Sequence, residues 1–380
     1  MTATRETIEA DLCVVGAGIV GLALAHEARR RGLSVVILER DGAAVGASVR
    51  NFGHVFVTGV ADGDDLDCAL RSRARWLELA RIGGPPVLEA GTLVLARAED
   101  ELSVIEGVAA NPDRKARVLS GDEIEGLAPI PTDTVVGGLR CELDVRVDPR
   151  AAAGTLARML EDDDGANVRW GERVEDAEPG LVHAATVTVR APRALFCPGP
   201  DHDTLPRTLR SGMPELTRCK LQMLRVAAPD GRRFTPVLMT GLSMVRYPAF
   251  TAQLGSAALL ARLRAERGEL IAAGIHLIVA QLPDGDLIIG DTHSYGDTPT
   301  PFAEARLDEL LLDEARVLLG AAQLEVRERW IGLYPSASTG GHFAVWSPFA
   351  GSAIVEVISG LGMTMAFGRA AAVLDSLEPA

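Results

Sequence analysis

Residues Gly16-Ala17-Gly18-Ile19-Val20-Gly21 constrain this chain more than any other stretch. They follow a short apolar run, DLCVVG (11–16), and open a segment (19–31) with Ala and Leu at helical spacing that closes on Arg29, Arg30, Arg31 and Gly32. A run of that length reads as a buried parallel strand, and basic residues before a glycine mark a helix C-terminus. SVVILE (34–39) reads as a second buried strand, which completes a β-α-β unit. Each glycine has a task there: Gly16 makes the tight turn, Gly18 lets the backbone approach a pyrophosphate, and Gly21 lets helix and strand pack closely. The pyrophosphate sits at the helix N-terminus, before Ile19 and Val20, where unpaired N–H groups and the dipole favour an anion. Glu39, eighteen residues after the last glycine, is placed to accept a ribose hydroxyl. The motif alone also occurs in ligand-free turns. Strand, helix and acidic partner together select a dinucleotide site, and the acidic partner disfavours a 2′-phosphate.

Further along, the pattern predicts a helix over 64–82 stopped by GGPP, a strand at 92–96 and a helix over 100–110. RVDPRAAAGTLARML (146–160) carries a proline near a helix start, NVRWGERVEDAE (167–178) reads as an extended strand, and RALFCPGP (193–200) as a strand ending in a tight turn. The acidic run Glu161–Asp164 reads as a solvated turn. The second half is antiparallel in character. KLQMLRV (220–226) alternates, and HLIVAQLPDGDLIIGD (276–291) is two strands about a Pro-Asp-Gly turn. A helix over 302–319, a strand at 354–359 and a helix running to Leu377 close the chain.

Charge excludes one class of partner. With 38 Lys and Arg against 52 Asp and Glu the net charge is −14, which offers no basic footprint for nucleic acid, although a local Arg or Lys cluster can still hold a small anion. Five scattered cysteines with no CxxC pair point to free thiols rather than disulfides or a metal site. The polar first ten residues carry no secretory pattern, and the apolar stretch Leu12–Ala25 is too short to span a bilayer. A cytoplasmic protein that engages no membrane is the expectation.

Two further segments bear on the dinucleotide. GAAVGASVRNFG (42–53) continues the motif with small residues and ends in Arg50-Asn51-Phe52-Gly53. Ser359-Gly360-Leu361-Gly362-Met363-Thr364 again joins a strand to a helix, a join that can aim a helix N-terminus at the anionic edge of a reduced flavin. In order along the chain, VVGAGIVGLALAHEARRRGLSVVILER, RVDPRAAAGTLARML, LFCPGP, LIIGDTHSYGD and SGLGMTMAFGRAAA resemble the D-amino-acid oxidase superfamily of FAD-dependent oxidoreductases, glycine and sarcosine oxidases included, over essentially the whole chain. The resemblance implies an α/β fold: a Rossmann-type FAD-binding domain (1–84, 146–216 and 326–380) interleaved with an antiparallel-sheet α+β substrate domain (85–145 and 217–325). It implies non-covalent FAD held by Gly16, Gly18, Ile19, Val20, Gly21, Glu39, Arg40, Ser48, Arg50, Asn51, Gly53, Val174, Cys197, Gly199, Gly360, Gly362, Met363 and Thr364.

Departures from that family bear on substrate. Amino-acid-oxidising members carry an arginine just before the proline in the segment that resembles Ile331–Pro335; this chain has Tyr334 there. RNFGHVF (50–56), CKLQMLR (219–225), GIHLIVAQ (274–281) and LIIGDTHSYGD (287–297) are similar to a branch associated with catabolism of 2-aminoethylphosphonate and its N-methyl form. The resemblance implies a small anionic amine as substrate, oxidised to an imine that yields phosphonoacetaldehyde, with O2 taking the electrons to hydrogen peroxide. Oxidation on the methyl side, giving formaldehyde, is the other regiochemistry. A phosphonate calls for cationic donors. Arg246 and Lys220 are the first candidates, with Tyr247, His276, Tyr334 and Gln222 as neutral partners. Gln281, like Gln222, alternates on a strand that can face the same cavity. His54 lies near the flavin segment, and Lys220 is equally a candidate for promoting oxygen reduction. The blander readings place Arg246 at the surface beside a proline turn and make His276 a structural histidine. His293 is expected at the exposed end of the hairpin. Two other functions stand beside this one: a sarcosine-, glycine- or D-amino-acid-type oxidase, and a flavoprotein whose FAD is structural.

Overall fold

The computed structural model describes residues 5–162, 165–338 and 340–377. Its first sheet has six strands in the order Asn167–Trp170, Val35–Glu39, Leu12–Val15, Ala194–Phe196, Ser352–Val357 and Phe343–Trp346. The first five run parallel and only the last pairs antiparallel. Parallel strands are covered on both faces, and the sequence supplies what that requires: Leu12, Cys13, Val14, Val35, Val36, Ile37 and Leu38 are all buried. The helix Ile19–Arg30 follows the first strand, with Leu22, Ala23, Leu24, Ala25 and Ala28 buried. Arg29 and Arg30 occupy its last turn, where they face the negative end of the helix dipole.

A second sheet of nine strands runs Ser294–Gly296, Thr217–Val226, Leu287–Gly290, Ile278–Gln281, Val237–Met239, Thr92–Ala96, Gly137–Cys141 and Ala116–Leu119, with Val326–Ser336 on Thr217–Val226. Its pairs are antiparallel except one: Val237–Met239 runs parallel to Thr92–Ala96 and closes the two halves of the sheet together. Val326–Ser336, allotted above to the cofactor part, pairs with Thr217–Val226 along its length, so the two parts of the chain are tied at this edge. The Pro283-Asp284-Gly285 hairpin forms as expected, Gly285 taking φ +105.

Some segments differ from the sequence reading. The segment 146–160 begins as the strand Val145–Val147, and the helix starts only at Pro149, whose missing N–H costs nothing in a first turn. That helix carries Glu161 and Asp162 to its end at Asp162, while the rest of the acidic run, 163–164, lies outside the described residues. The stretch 167–178 is two strands parted at Gly171, which has φ +78.

Helices Asp64–Arg81 and Gly362–Asp375 pack against each other. Trp76 is completely buried between them, edge-on to Phe367 with ring centroids 4.9 Å apart, and its indole N–H donates to the Met363 carbonyl at 2.9 Å. Truncating such a residue costs about 3–5 kcal/mol, so Trp76 fixes where the C-terminal helix begins. No described helix is long and apolar enough to cross a membrane.

Candidate active site

One cleft runs from the carboxyl ends of the parallel strands to the large sheet. In an open α/β sheet this is where ligands bind. Its lining runs from the Gly16–Gly21 turn, past Glu39 and Ser48, to Leu221, Met223 and Arg246, so one continuous cleft joins the dinucleotide turn to the large sheet. The glycines fit a dinucleotide. A Cβ on Gly21 would lie 1.9 Å from the Gly16 carbonyl oxygen, and one on Gly16, which has φ +105, would lie 2.5 Å from the Cys197 oxygen. A Cβ on Gly18 would come within 3.1 Å of Ser48 Oγ, so only glycine keeps this wall low enough for a phosphate to reach backbone. Ser48 Oγ accepts from Ile19 N at 2.8 Å at the helix entrance. The Glu39 carboxylate accepts from Ala17 N at 2.8 Å and Asp41 N at 3.0 Å, which holds it at the cleft wall with lone pairs left for a ribose.

Of the expected cofactor residues, Val20, Arg40, Arg50, Asn51, Val174, Cys197, Gly199, Gly360, Gly362 and Met363 also line this cleft. Burial keeps the Cys197 thiol protonated by raising its pKa. Gly53 and Thr364 are not on the cleft wall. Gly53 is needed because its φ is +66 and a Cβ would strike the Val147 oxygen at 1.9 Å, while the Thr364 hydroxyl is fully buried and accepts from Phe56 N at 2.9 Å. Both brace the strand that carries His54.

His54 borders the cleft, and its Nε2 lies 2.8 Å from Thr92 Oγ1 and 4.0 Å from Asp144 Oδ2. Burial, aided by Arg146, pushes the imidazole down to about 3, so it stays neutral. Asp144 is completely buried, which raises its carboxyl to about 6.

Arg246 also lines the cleft and is half-buried, not a surface residue beside a turn. It donates to Tyr334 OH at 2.9 Å and to Tyr295 OH at 3.2 Å. Among the described residues it forms no ion pair with a carboxylate. Burial works against its charge, but Tyr334, Tyr247 and Tyr295 more than offset this and hold the guanidinium charged. Burial keeps the Tyr334 and Tyr247 phenols protonated. The Tyr334 and Tyr295 oxygens accept from Arg246, and Cys219 is a further hydrogen-bond partner of both phenols, so their O–H groups reach a ligand by turning away from the sulfur. This end of the cleft is therefore rich in donors.

Lys220, Gln222 and Gln281 lie away from the cleft. Along Thr217–Val226 the residues that line it are Leu221 and Met223, so Lys220 and Gln222 take the opposite face. There Lys220 donates to the Phe302 carbonyl, and Gln222 donates to Asp308 Oδ1 at 2.6 Å and Glu304 O at 3.0 Å. Gln281 is committed to backbone groups of Arg232, Phe234 and Gly285. With Lys220 so placed, Lys220→Met is expected to leave flavin reoxidation by oxygen within about twofold of the native rate in stopped-flow mixing, at a stability cost of about 1 kcal/mol.

His293 is not at an exposed hairpin end: its side chain is 5% exposed and lines the cleft. Its ring stands 4.6 Å from that of His276 and 6.5 Å from that of Tyr334. Asp291 lines the cleft too, and nothing in its GDT context singles it out. His276 is not on the wall but stands behind it, its backbone paired with that of Asp291.

The fold and cleft define the class: an α/β protein with a glycine-rich dinucleotide turn at one end of its cleft and the Arg246 cluster at the other. The family model described as DAO, FAD dependent oxidoreductase, matches residues 11–375, and the chain belongs to that family. Glycine oxidase from Geobacillus kaustophilus has a similar structure, with TM-score 0.74 and 19% identity over 97% of this chain and 94% of that one. L-alpha-glycerophosphate oxidase from Mycoplasma pneumoniae, solved with FAD bound, gives 0.75 and 18% over 98% and 96%. Iminodiacetate oxidase from Chelativorans sp. BNC1 gives 0.74 and 20% over 97% and 96%. Among curated proteins, an opine oxidase component of Rhizobium meliloti is 25% identical over 207 residues, 45% of this chain and 50% of its own length. The chain thus matches about half the length of that relative, and 21% of gamma-glutamylputrescine oxidoreductase of Escherichia coli, which is 33% identical over 93 residues.

Proposed function

We propose that this protein oxidises a small amine that also carries an anionic group, with 2-aminoethylphosphonate or its N-methyl form as substrate. The observation that carries this reading is Arg246, a charged guanidinium at the cleft wall with phenols and no carboxylate for partners. A partly buried cation with no carboxylate in ion-pair contact is costly; Asp291 acts on it only from further off, and an anionic ligand in contact lowers that cost. Guanidinium and phenol O–H groups together offer the several donors that the three oxygens of a phosphonate accept. Tyr334 stands where a carboxylate-clamping arginine is expected in amino-acid oxidases, which favours a phosphonate over an α-amino acid. Relatives named opine oxidase, glycine oxidase and iminodiacetate oxidase support oxidation of a carbon–nitrogen bond.

Bound FAD supplies the two-electron acceptor for the carbon–nitrogen bond. The amine loses two electrons and two protons in becoming an imine, and water then releases phosphonoacetaldehyde and ammonia or methylamine. O2 is the terminal acceptor in this reading and leaves as hydrogen peroxide. The chain's own residues position and desolvate: Arg246 and its phenols anchor the anion, and Leu221 and Met223 exclude water from that wall.

Anaerobic mixing of the yellow protein with 2-aminoethylphosphonate, its N-methyl form, sarcosine, glycine and D-alanine tests this. Bleaching by the phosphonates alone is the expected result. Bleaching by sarcosine, glycine or D-alanine instead would return the protein to the amino-acid oxidases, and a flavin that no amine bleaches would make the cofactor structural.

A further inference from the structure

Three side chains converge beside Arg246 and play no part in holding the anion. One nitrogen of His276, one of His293 and a carboxylate oxygen of Asp291 all lie within 4.8 Å of one another. His293 Nδ1 lies 2.9 Å from the Gly274 carbonyl oxygen, a contact that places its proton on that nitrogen and leaves Nε2 as an acceptor. That Nε2 is 3.8 Å from Asp291 Oδ2. Asp291 is 7% exposed, and its Oδ1 has no hydrogen-bond partner; His276 Nδ1, also buried, has none either. Oδ1 of Asp291 and Nδ1 of His276 are sealed behind the wall, whereas Asp291 itself lines the cleft, so a donor that arrives with the ligand meets the carboxylate at Oδ2, beside His293 Nε2.

We propose that Asp291, flanked by His293 and backed by His276, receives the ammonium group of the substrate and takes its proton. The proposal rests on the aminophosphonate reading above and names the residue for the other end of that molecule. An ammonium brings N–H donors and a single positive charge, which suits a site with one carboxylate and two neutral imidazoles. A divalent cation meets stronger repulsion from Arg246. In the transfer one N–H bond of the ammonium breaks and an O–H bond forms on Asp291. The electron pair stays on nitrogen, and no electrons leave the substrate in this step. The amine is then neutral, as loss of hydride from the neighbouring carbon requires.

The surroundings are consistent with that role. Burial raises the Asp291 carboxyl to about 7, although Arg246 pulls it down. Burial and Arg246 hold His276 and His293 well below the usual histidine range, so both act as neutral acceptors. Tyr247 and Cys219, which also feel Asp291, are both raised by burial, Cys219 to about 11, and stay protonated at neutral pH.

The test compares flavin-loaded native protein with Asp291→Asn, using 2-aminoethylphosphonate as the reductant and ethylphosphonate, which keeps the anion and lacks nitrogen, as a dead-end ligand. Asp291→Asn is expected to bind ethylphosphonate within about threefold of native while its second-order rate of anaerobic flavin reduction falls at least about 100-fold. The native rate should also show an acid limb near 7 that the variant lacks, whereas ionisation of the phosphonate itself would appear in both. Asp291→Glu, which keeps the carboxylate, should recover most of the rate, and Asp291→Ser replaces the Asn variant if the latter loses its flavin. Equal loss for both ligands, an unchanged reduction rate, or a Glu variant as slow as the Asn variant overturns the role of Asp291 and leaves the anion site standing. Failure of ethylphosphonate to perturb the native flavin spectrum sinks the aminophosphonate reading itself. One zinc per chain retained through chelator dialysis would assign the cluster to a metal and overturn the proposal.

Discussion

Arg246→Met is expected to weaken kcat/KM for the phosphonate by about 2–5 kcal/mol, roughly 30-fold to several-thousand-fold, the cost of removing one partner of a partly desolvated charge pair. The loss should appear in KM and in the binding of unreactive phosphonates, because the guanidinium grips the anion and not the reacting carbon. FAD content should not change: the residues around the Gly16–Gly21 turn are separate from the Arg246, Tyr295 and Tyr334 cluster. Steady-state kinetics with a parallel flavin titration decides it. An unchanged KM would remove Arg246 from the site and with it the main support for an anionic substrate.

The second large effect falls on the cofactor. Gly21→Ala puts a methyl group 1.9 Å from the Gly16 carbonyl oxygen, and the obstacle is backbone in the turn itself. Overpacking of this kind costs about 1–3 kcal/mol or more. Relief requires the helix to lift from the strand, which moves the very N–H groups that face the pyrophosphate. Purified Gly21→Ala is therefore expected to be colourless or nearly so, with a lowered melting temperature that added FAD does not restore. Gly42→Ala is the control, since a Cβ there meets nothing within 4 Å; it should stay yellow and melt with the native protein. A fully flavinated Gly21→Ala protein would show that the turn tolerates the shift.

The cofactor half was legible because its determinants are local. Gly16, Gly18, Gly21 and Glu39 sit within one β-α-β unit, and each is required by backbone geometry that spacing alone reveals. The Pro283-Asp284-Gly285 turn was readable for the same reason. The substrate half was harder to read. Alternation along Thr217–Val226 divides its residues into two faces but does not say which one meets the cleft, and both are buried: Lys220 and Gln222 are 4% and 2% exposed, Leu221 and Met223 8% and 1%. A polar ligand suggests polar residues on the cleft wall, whereas the partners of Lys220 and Gln222 come from Phe302, Glu304 and Asp308, some eighty residues away. Asp291 was read only as the last residue of the second hairpin strand and His293 as the hairpin's exposed end, so neither was expected in the cleft. Only the return of Ile275–Leu277 alongside them, and Gly274 beneath His293, turns them inward.

The position of Arg246 has a kinetic consequence. Tyr295, one of its two phenol partners, is 56% exposed, so the guanidinium stands near the way in. The whole molecule carries a charge of −14. For the proposed aminophosphonate, whose ammonium leaves at most one net negative charge, this means repulsion at a distance and capture only close to the entrance. Salt acts on these two stages at different ranges: the Debye length shortens from about 30 Å at 0.01 M to about 8 Å at 0.15 M, which removes the distant repulsion while a contact of about 3 Å is screened much less. Rising ionic strength therefore speeds encounter with the anion before it loosens the grip, the reverse of the order found when a protein attracts its ligand from afar.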